Sequence, residues 1–168
     1  MRTSSPVRVR RIFALSLLVA TASGLLTAAQ AGGPGRACGD RVATILGTPG
    51  DDVLSGTSGD DVIVTGRGAD RIRGLDGVDY ICAGRGPDEV LGGSGGDRLY
   101  GGRDADLVRG GPGREFLRGQ GGKDELYGGS FADSFNGGPG RDWCGYRSDR
   151  RPHQFDNYEA NCERIPGR

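Results

Sequence analysis

Acidic side chains recur every nine residues through the middle of the chain. From Gly47 to Gly145 the sequence divides into eleven consecutive nonapeptides without insertion or deletion, and the sixth position of each is acidic. These acids are Asp52, Asp61, Asp70, Asp79, Asp88, Asp97, Asp106, Glu115, Asp124, Asp133 and Asp142. One acid in a glycine-rich turn is ordinary turn composition. Eleven in register predict a shared role, for which metal binding is the leading interpretation and a solvated turn face the alternative.

The acids form two columns if two units make one turn of a stacked structure. Units two apart then lie about 4.8 Å from each other, as neighbouring strands do, and their carboxylates repel unless a cation lies between them. Ca²⁺ suits this place because it accepts about six to eight oxygens, backbone carbonyls included, whereas Mg²⁺ demands a tighter octahedron. Five gaps in the column that begins at Asp52 and four in the column that begins at Asp61 set an upper limit of nine Ca²⁺ ions.

Each unit also has one apolar or thiol residue at its eighth position, from Leu54 to Cys144. Positions seven to nine are the only stretch of the unit with strand character, and alternation turns the middle residue inward. The first six positions predict a turn, in which glycine supplies the positive φ angles that side chains resist. A short strand with one inward residue cannot bury itself alone, so successive units must stack.

This layout resembles the repeats-in-toxin (hemolysin-type) calcium-binding nonapeptide repeat family, whose consensus is G-G-x-G-x-D-x-U-x with U a large apolar residue. Clear copies are the segments 92–100, GGSGGDRLY, and 110–118, GGPGREFLR. The resemblance implies an all-β fold, a right-handed parallel β-roll (solenoid) with two nonapeptides per turn, and Ca²⁺ held between stacked turns. All eleven acids are candidate metal ligands on this reading.

Several units depart from the consensus. Asp104 and Phe131 replace glycine at the fourth position, and Glu115 places its carboxylate one methylene further out. The second position departs from glycine at Thr48, Thr57, Leu75 and Gln120. We therefore expect the best Ca²⁺ sites between Asp70 and Asp106, and weaker sites towards the ends.

Residues 1–31 have the features of a secretory signal peptide. Four arginines precede the mostly apolar stretch 12–26, and Ala29-Gln30-Ala31 offers a small-x-small cleavage pattern. The apolar run is too short for a membrane span. Cleavage would remove four of the 22 basic residues and none of the 22 acidic ones, leaving 18 against 22 and a net charge of −4. The sequence thus predicts a secreted, extracellular, acidic protein.

The segments that flank the repeats are interpreted as caps. Residues 32–46 predict an N-terminal cap, in which Ile45 keeps the phase of the repeats, and residues 146–168 lose the period and predict a C-terminal cap or tail. Four cysteines in an exported chain favour two disulfides over a zinc site, because no Cys-x-x-Cys pair and only one histidine are present. Among the three connectivities, the preferred one joins Cys38 to Cys82 and Cys144 to Cys162.

Composition limits the function classes. Lys plus Arg and Asp plus Glu both total 22, so a basic chain built to bind nucleic acid is excluded. No zinc-protease motif is present, and the only histidine, His153, lies outside the repeats, so we expect no enzymatic activity. The leading hypothesis is a secreted protein whose folding is driven by Ca²⁺. The alternatives are a calcium-dependent adhesion module for an extracellular polysaccharide or protein and an accessory domain of an enzyme.

Overall fold

The repeat folds into strands because each unit supplies one apolar residue that must be buried. The structure is a computed structural model, which describes residues 37–145, 157–158 and 162–164. The described chain contains two parallel seven-stranded sheets and a short antiparallel pair.

Sheet 1 contains the strands that begin in the odd-numbered units and continues with one strand after the repeats. Its strands are β4 (Val53–Ser55), β6 (Arg71–Asp76), β8 (Glu89–Ser94), β10 (Leu107–Pro112), β12 (Glu125–Ser130), β14 (Asp142–Gly145) and β16 (Cys162–Arg164). Sheet 2 alternates with it along the chain. Its strands are β3 (Ile45–Leu46), β5 (Val62–Arg67), β7 (Tyr80–Arg85), β9 (Arg98–Arg103), β11 (Phe116–Gly121), β13 (Ser134–Asn136) and β15 (Asn157–Tyr158).

The register shows that two nonapeptides make one turn. Ile63 lies opposite Ile81, and Ile81 lies opposite Leu99, each 18 residues further along the chain. The parallel sheets therefore form a β-solenoid of about six turns, as the resemblance implied.

The core is a thin layer between the sheets. It consists almost entirely of the eighth-position side chains, from Ile63 to Cys144, which are 0–1% exposed. Leu54 and Ile45 are partly buried and pack against its N-terminal end. With one core residue for each nonapeptide, side-chain burial alone leaves much of each unit unsupported.

The strands are longer than the sequence predicted. A full strand such as β6 takes positions seven to nine of one unit and the first three positions of the next, so the turn is confined to positions four to six. The expectation that all six leading positions form the turn was wrong, because residues in the first three positions still pair across the sheet, as Gly66 does with Gly84.

Four residues other than glycine have positive φ angles in the described chain. They are Leu75 (86°), Asp104 (80°), Gln120 (78°) and Phe131 (74°). All four stand at the second or fourth position of their units, where most units have glycine. The stacked neighbours therefore impose the left-handed conformation even where the sequence departs from the consensus.

The ends of the solenoid carry both predicted disulfides. Cys38 lies in β1 (Ala37–Cys38), which pairs with β2 (Arg41–Val42), and is bonded to Cys82 in sheet 2. Cys144 is bonded to Cys162. β15 and β16 extend the two sheets beyond the repeats. The predicted signal peptide, residues 1–31, lies outside the described residues, and no helix in the described part is long and apolar enough to cross a membrane.

Candidate metal centre

The sixth-position acids stand at the start of the strands, and most of them are held by the turn stacked on them. One carboxylate oxygen, Oδ1, accepts the backbone N–H of the acid 18 residues earlier. Asp88 Oδ1 accepts the N–H of Asp70 at 2.8 Å, and Asp106 Oδ1 accepts that of Asp88 at 2.9 Å. The same bond is made to Asp70, Asp79, Asp97, Asp124, Asp133 and Asp142. The carboxylates therefore connect each turn to the next.

The second oxygen of most of these carboxylates is buried. Seven such oxygens are buried and have no hydrogen-bond partner within the described chain, namely Oδ2 of Asp70, Asp79, Asp88, Asp97, Asp106, Asp124 and Asp142. Both carboxylate oxygens of Glu115 are buried as well. Buried polar atoms are nearly always partnered in proteins, so a row of unpaired anionic oxygens indicates a site for a cation.

Glycine at the first position makes room for these oxygens. A Cβ built at Gly74 would overlap Oδ2 of Asp79 and the carbonyl oxygen of Gly92 in the next turn. The second position is equally crowded, since a Cβ at Gly84 would overlap the carbonyl oxygen of Gly66. Carboxylate and carbonyl oxygens thus come close together beside several first-position glycines, such as Gly74 and Gly92, and this is the donor set that Ca²⁺ prefers.

Burial makes the carboxylates costly to ionise when no cation is present. Desolvation, with a smaller contribution from neighbouring carboxylates, raises the pKa of Asp88 to about 7 and that of Asp106 to about 8. The pKa of Asp79 and that of Asp124 rise to about 6 for the same main reason. Glu115 also has a raised pKa, because it is buried and lies beside the Asp133 carboxyl. A cation among these oxygens would favour the charged forms instead.

The first two units hold their acids differently. The Asp52 carboxylate accepts the Thr48 backbone N–H at 2.7 Å and the Thr48 hydroxyl at 3.1 Å. Asp61 Oδ2 accepts the backbone N–H of Thr57 at 2.6 Å and its hydroxyl at 2.9 Å. Threonine therefore supplies the donors here. Sequence reasoning noted both threonines only as departures from glycine, although a hydroxyl four residues before the acid was the available signal.

A second set of acids, outside the sixth position, accepts backbone N–H groups of neighbouring turns. Asp51 Oδ1 accepts the N–H of Ala69 at 2.8 Å, and Asp60 Oδ1 accepts that of Val78 at 2.8 Å. Asp104 accepts the N–H of Gly86 at 3.0 Å. Sequence reasoning did not identify these bonds, because they join residues 18 apart whose turns meet only in the stack.

The structure buries ten of the eleven candidate ligands, and Asp52 is partly buried. It does not gather them into a cluster of side chains, since no three His, Cys, Asp or Glu groups of the described residues converge on one point. The acids are arranged as two columns, and each column has one carboxylate for each turn of the solenoid. Any bound ion must therefore complete its ligand shell with oxygens other than side-chain carboxylates, and the neighbouring carbonyls are the nearest source.

Stacked parallel turns with buried acids and crowded glycines define a β-solenoid of the calcium-binding repeat class. The family model of the RTX calcium-binding nonapeptide repeat (4 copies) matches residues 39–68, 46–81, 55–90, 83–117, 91–126 and 118–144. These matches cover most of the chain, and the chain belongs to this family. No curated protein and no solved structure matches the chain. RTX repeats bind calcium in general, and the unpaired carboxylate oxygens fit that cation.

Proposed function

We propose that this chain is a secreted calcium-binding protein in which Ca²⁺ between stacked turns drives the folding of the β-solenoid. The observation that carries the proposal is the row of buried Oδ2 atoms without hydrogen-bond partners in the described chain. Without a cation these carboxylates oppose folding, since each is either charged and desolvated or protonated at a cost near neutral pH. With Ca²⁺ they become ligands, and because the ligands are scattered in the unfolded chain, the binding free energy becomes folding free energy.

The eleven sixth-position acids are the proposed ligands, and they are not equivalent. Asp70, Asp79, Asp88, Asp97 and Asp106 stand in the middle of the solenoid, where Oδ2 is buried and unpaired in the described chain. Asp52 and Asp61 already accept hydrogen bonds from Thr48 and Thr57. We therefore expect fewer than the nine ions that the gaps between the acids would allow.

Secretion is part of the proposal. Residues 1–31 have the pattern of a signal peptide, and RTX repeat proteins are commonly extracellular. The two disulfides at the ends of the solenoid are consistent with an oxidising compartment. Export would bring the chain to surroundings rich in calcium, where the solenoid can form.

We also propose that the protein is not an enzyme. RTX solenoids are typically structural or calcium-binding rather than catalytic. The buried carboxylates of this chain are held by backbone N–H groups of the next turn, an arrangement that serves stacking and cation binding.

Calorimetry and circular dichroism on the secreted chain from Gly32, with its disulfides formed, test the proposal. We expect Ca²⁺ titration to show several ions bound, and the far-UV strand signal to rise over the same range of Ca²⁺ concentration. Titration with Mg²⁺ is the control and should give little strand signal. Equal strand content in Ca²⁺ and in excess chelator would show that folding does not depend on calcium, and a stoichiometry near zero would refute calcium binding itself.

A further inference from the structure

Three arginines stand above one another at the carboxyl end of sheet 2. Arg67 lies opposite Arg85 at the end of β5 and β7, and Arg85 lies opposite Arg103 at the end of β9. All three side chains are exposed. We call Arg67, Arg85 and Arg103 the arginine ladder. Its steps are about 4.8 Å apart, the distance between neighbouring strands.

The arginine ladder is not neutralised by the described part of the protein. The ion pairs found there involve Arg71, Arg109 and Arg141, and none of the three ladder residues. Like charges on neighbouring strands destabilise a sheet, so the ladder costs stability unless an external anion spans its members.

A cavity continues the arginine ladder towards the C-terminal turns. Gly121 lies opposite Arg103 in the next strand, and the absence of a side chain there leaves open space. The cavity has a volume of about 500 Å³ and is lined by Arg103, Arg118, Gln120 and Asn136, among others. Nε of Arg118 is buried and has no hydrogen-bond partner in the described chain. The cavity thus presents two guanidinium groups and two amide side chains.

These groups match the chemistry of an acidic polysaccharide. The guanidinium fork binds carboxylate and sulfate groups through paired hydrogen bonds, and amides can donate to and accept from hydroxyl groups. A nucleic acid fits less well, because its dense charge demands a basic surface, whereas this ladder lies on the same turns as the buried acids Asp70, Asp88 and Asp106.

We propose that the arginine ladder and the adjoining cavity bind a linear acidic polysaccharide, one of whose carboxylate or sulfate groups enters the cavity between Arg103 and Arg118. The polymer runs from the cavity along Arg85 to Arg67. The inference rests on the calcium-dependent solenoid of the proposed function, because the three arginines come together only when the turns stack. It gives the solenoid an extracellular partner of defined chemistry.

The test compares two double variants of the secreted chain, both in saturating Ca²⁺. Arg85→Gln with Arg103→Gln removes two members of the ladder. Arg73→Gln with Arg114→Gln is the matched control, since both arginines are exposed and lie away from the ladder and the cavity. Binding is measured by biolayer interferometry against dextran sulfate and polygalacturonate, which separate sulfate from carboxylate recognition, with neutral dextran and single-stranded DNA as further probes.

We expect the ladder variant to bind the preferred acidic polysaccharide about 10-fold or more weakly than the unmodified chain. The control variant should bind as the unmodified chain does, and neutral dextran should not bind. Equal losses in both variants, no binding to either acidic polymer, or tighter binding to DNA would each overturn the proposal.

Circular dichroism of the same samples separates this inference from the proposed function. A chain that folds in Ca²⁺ but does not bind either acidic polymer refutes the arginine ladder alone, whereas a chain that fails to respond to Ca²⁺ refutes the proposed function. The single variant Arg85→Gln provides a second measurement if the double variant does not fold. A smaller loss in the same direction supports the proposal, and unchanged affinity contradicts it.

Discussion

The first two units and the central units all have aspartate at the sixth position, but the hydrogen bonds to its carboxylate differ between the two regions. In the first two, Thr48 and Thr57 donate backbone and hydroxyl hydrogen bonds to the carboxylates of Asp52 and Asp61. In the centre, Oδ2 of an acid such as Asp88 is buried without a partner in the described chain. Where the second position is threonine, the second carboxylate oxygen is thus occupied by hydrogen bonds within its own unit. Where threonine is absent, as in the unit of Asp88, that oxygen is a candidate cation ligand.

This difference extends to the backbone. Gly59, at the fourth position of the second unit, does not have a positive φ, and a Cβ there would meet only the Thr57 hydroxyl, at 3.9 Å. Gly86, at the same position of the fifth unit, has a φ of 107°, and a Cβ there would overlap the Gly68 carbonyl. The first units resemble ordinary hydrogen-bonded turns, whereas the backbone of the central units packs tightly against the turn before it. The N-terminal turns should therefore depend less on calcium than the central turns.

The largest expected effect is a pH dependence of the calcium-free central turns. Burial raises the pKa of Asp88 to about 7 and of Asp106 to about 8, above the usual 3.8 of an unfolded chain. The protonated forms therefore favour folding, so this contribution is complete below about pH 3.8 and is lost as the pH rises through about 7 and 8. We expect the far-UV strand signal of calcium-free protein to increase on acidification from about pH 8.

Hydrogen exchange locates this effect, with light scattering as a control for aggregation. Acidification should increase protection mainly at the amides of the central turns. A strand signal that increases with pH in calcium-free protein would contradict the prediction.

The next effect comes from neutralising one acid in each region. Asp88→Asn should destabilise the calcium-bound protein by about 3 kcal/mol or more, because a buried charged ligand is lost beside a bound cation. The same substitution should increase order in chelator, because it removes a buried charge that has no partner. Chemical denaturation, with and without Ca²⁺, measures both changes.

Asp52→Asn is the matched control for that substitution. It chiefly weakens the hydrogen bonds from Thr48, which already occupy this carboxylate, so we expect a loss of about 0.5–1.5 kcal/mol and a smaller change in Ca²⁺ stoichiometry than Asp88→Asn gives. Equal effects of the two substitutions in Ca²⁺ would remove the distinction between the two regions.

Much of this architecture could be predicted from sequence because the period itself carries the information. The eleven acids and the eighth-position residues predicted stacked units, and the family resemblance supplied the two nonapeptides per turn that the register confirms. The preferred one of the three disulfide connectivities is also the one observed. Which carboxylates accept hydrogen bonds and which remain unpaired could not be predicted in the same way. It depends on which donor reaches each carboxylate, and the donor for Asp70 Oδ1 is the N–H of Asp52, 18 residues away. The strand lengths were missed for a similar reason, since glycine has little strand propensity and pairs here only because its neighbours above and below do.

The third effect tests the backbone at the fourth position. Gly86→Ala should cost about 1–3 kcal/mol or more, because alanine is strained at this φ and its Cβ would meet the Gly68 carbonyl. Gly59→Ala should be neutral or should stabilise by about 0.4–1 kcal/mol, since the position is open and alanine reduces the entropy of the unfolded chain. Denaturation in Ca²⁺ gives both values, and the reverse order of stability would show that the two turns do not differ as described.

The smallest effect comes from the threonine hydroxyl in the second unit. Thr57→Val keeps the shape of the side chain and the backbone N–H bond to Asp61. It removes the bond that the hydroxyl donates to Asp61 at 2.9 Å and the bond that it accepts from the Gly59 N–H at 3.1 Å, so we expect a loss of about 1 kcal/mol. Ser58→Ala removes a hydroxyl from the exposed neighbouring residue and should change stability by less than about 0.5 kcal/mol. Because the hydroxyl acts in place of a cation, the loss in Thr57→Val should be partly recovered at high Ca²⁺, whereas the control should not respond. A loss that is the same at all Ca²⁺ concentrations would mean that Asp61 cannot bind the cation even when its hydroxyl donor is removed.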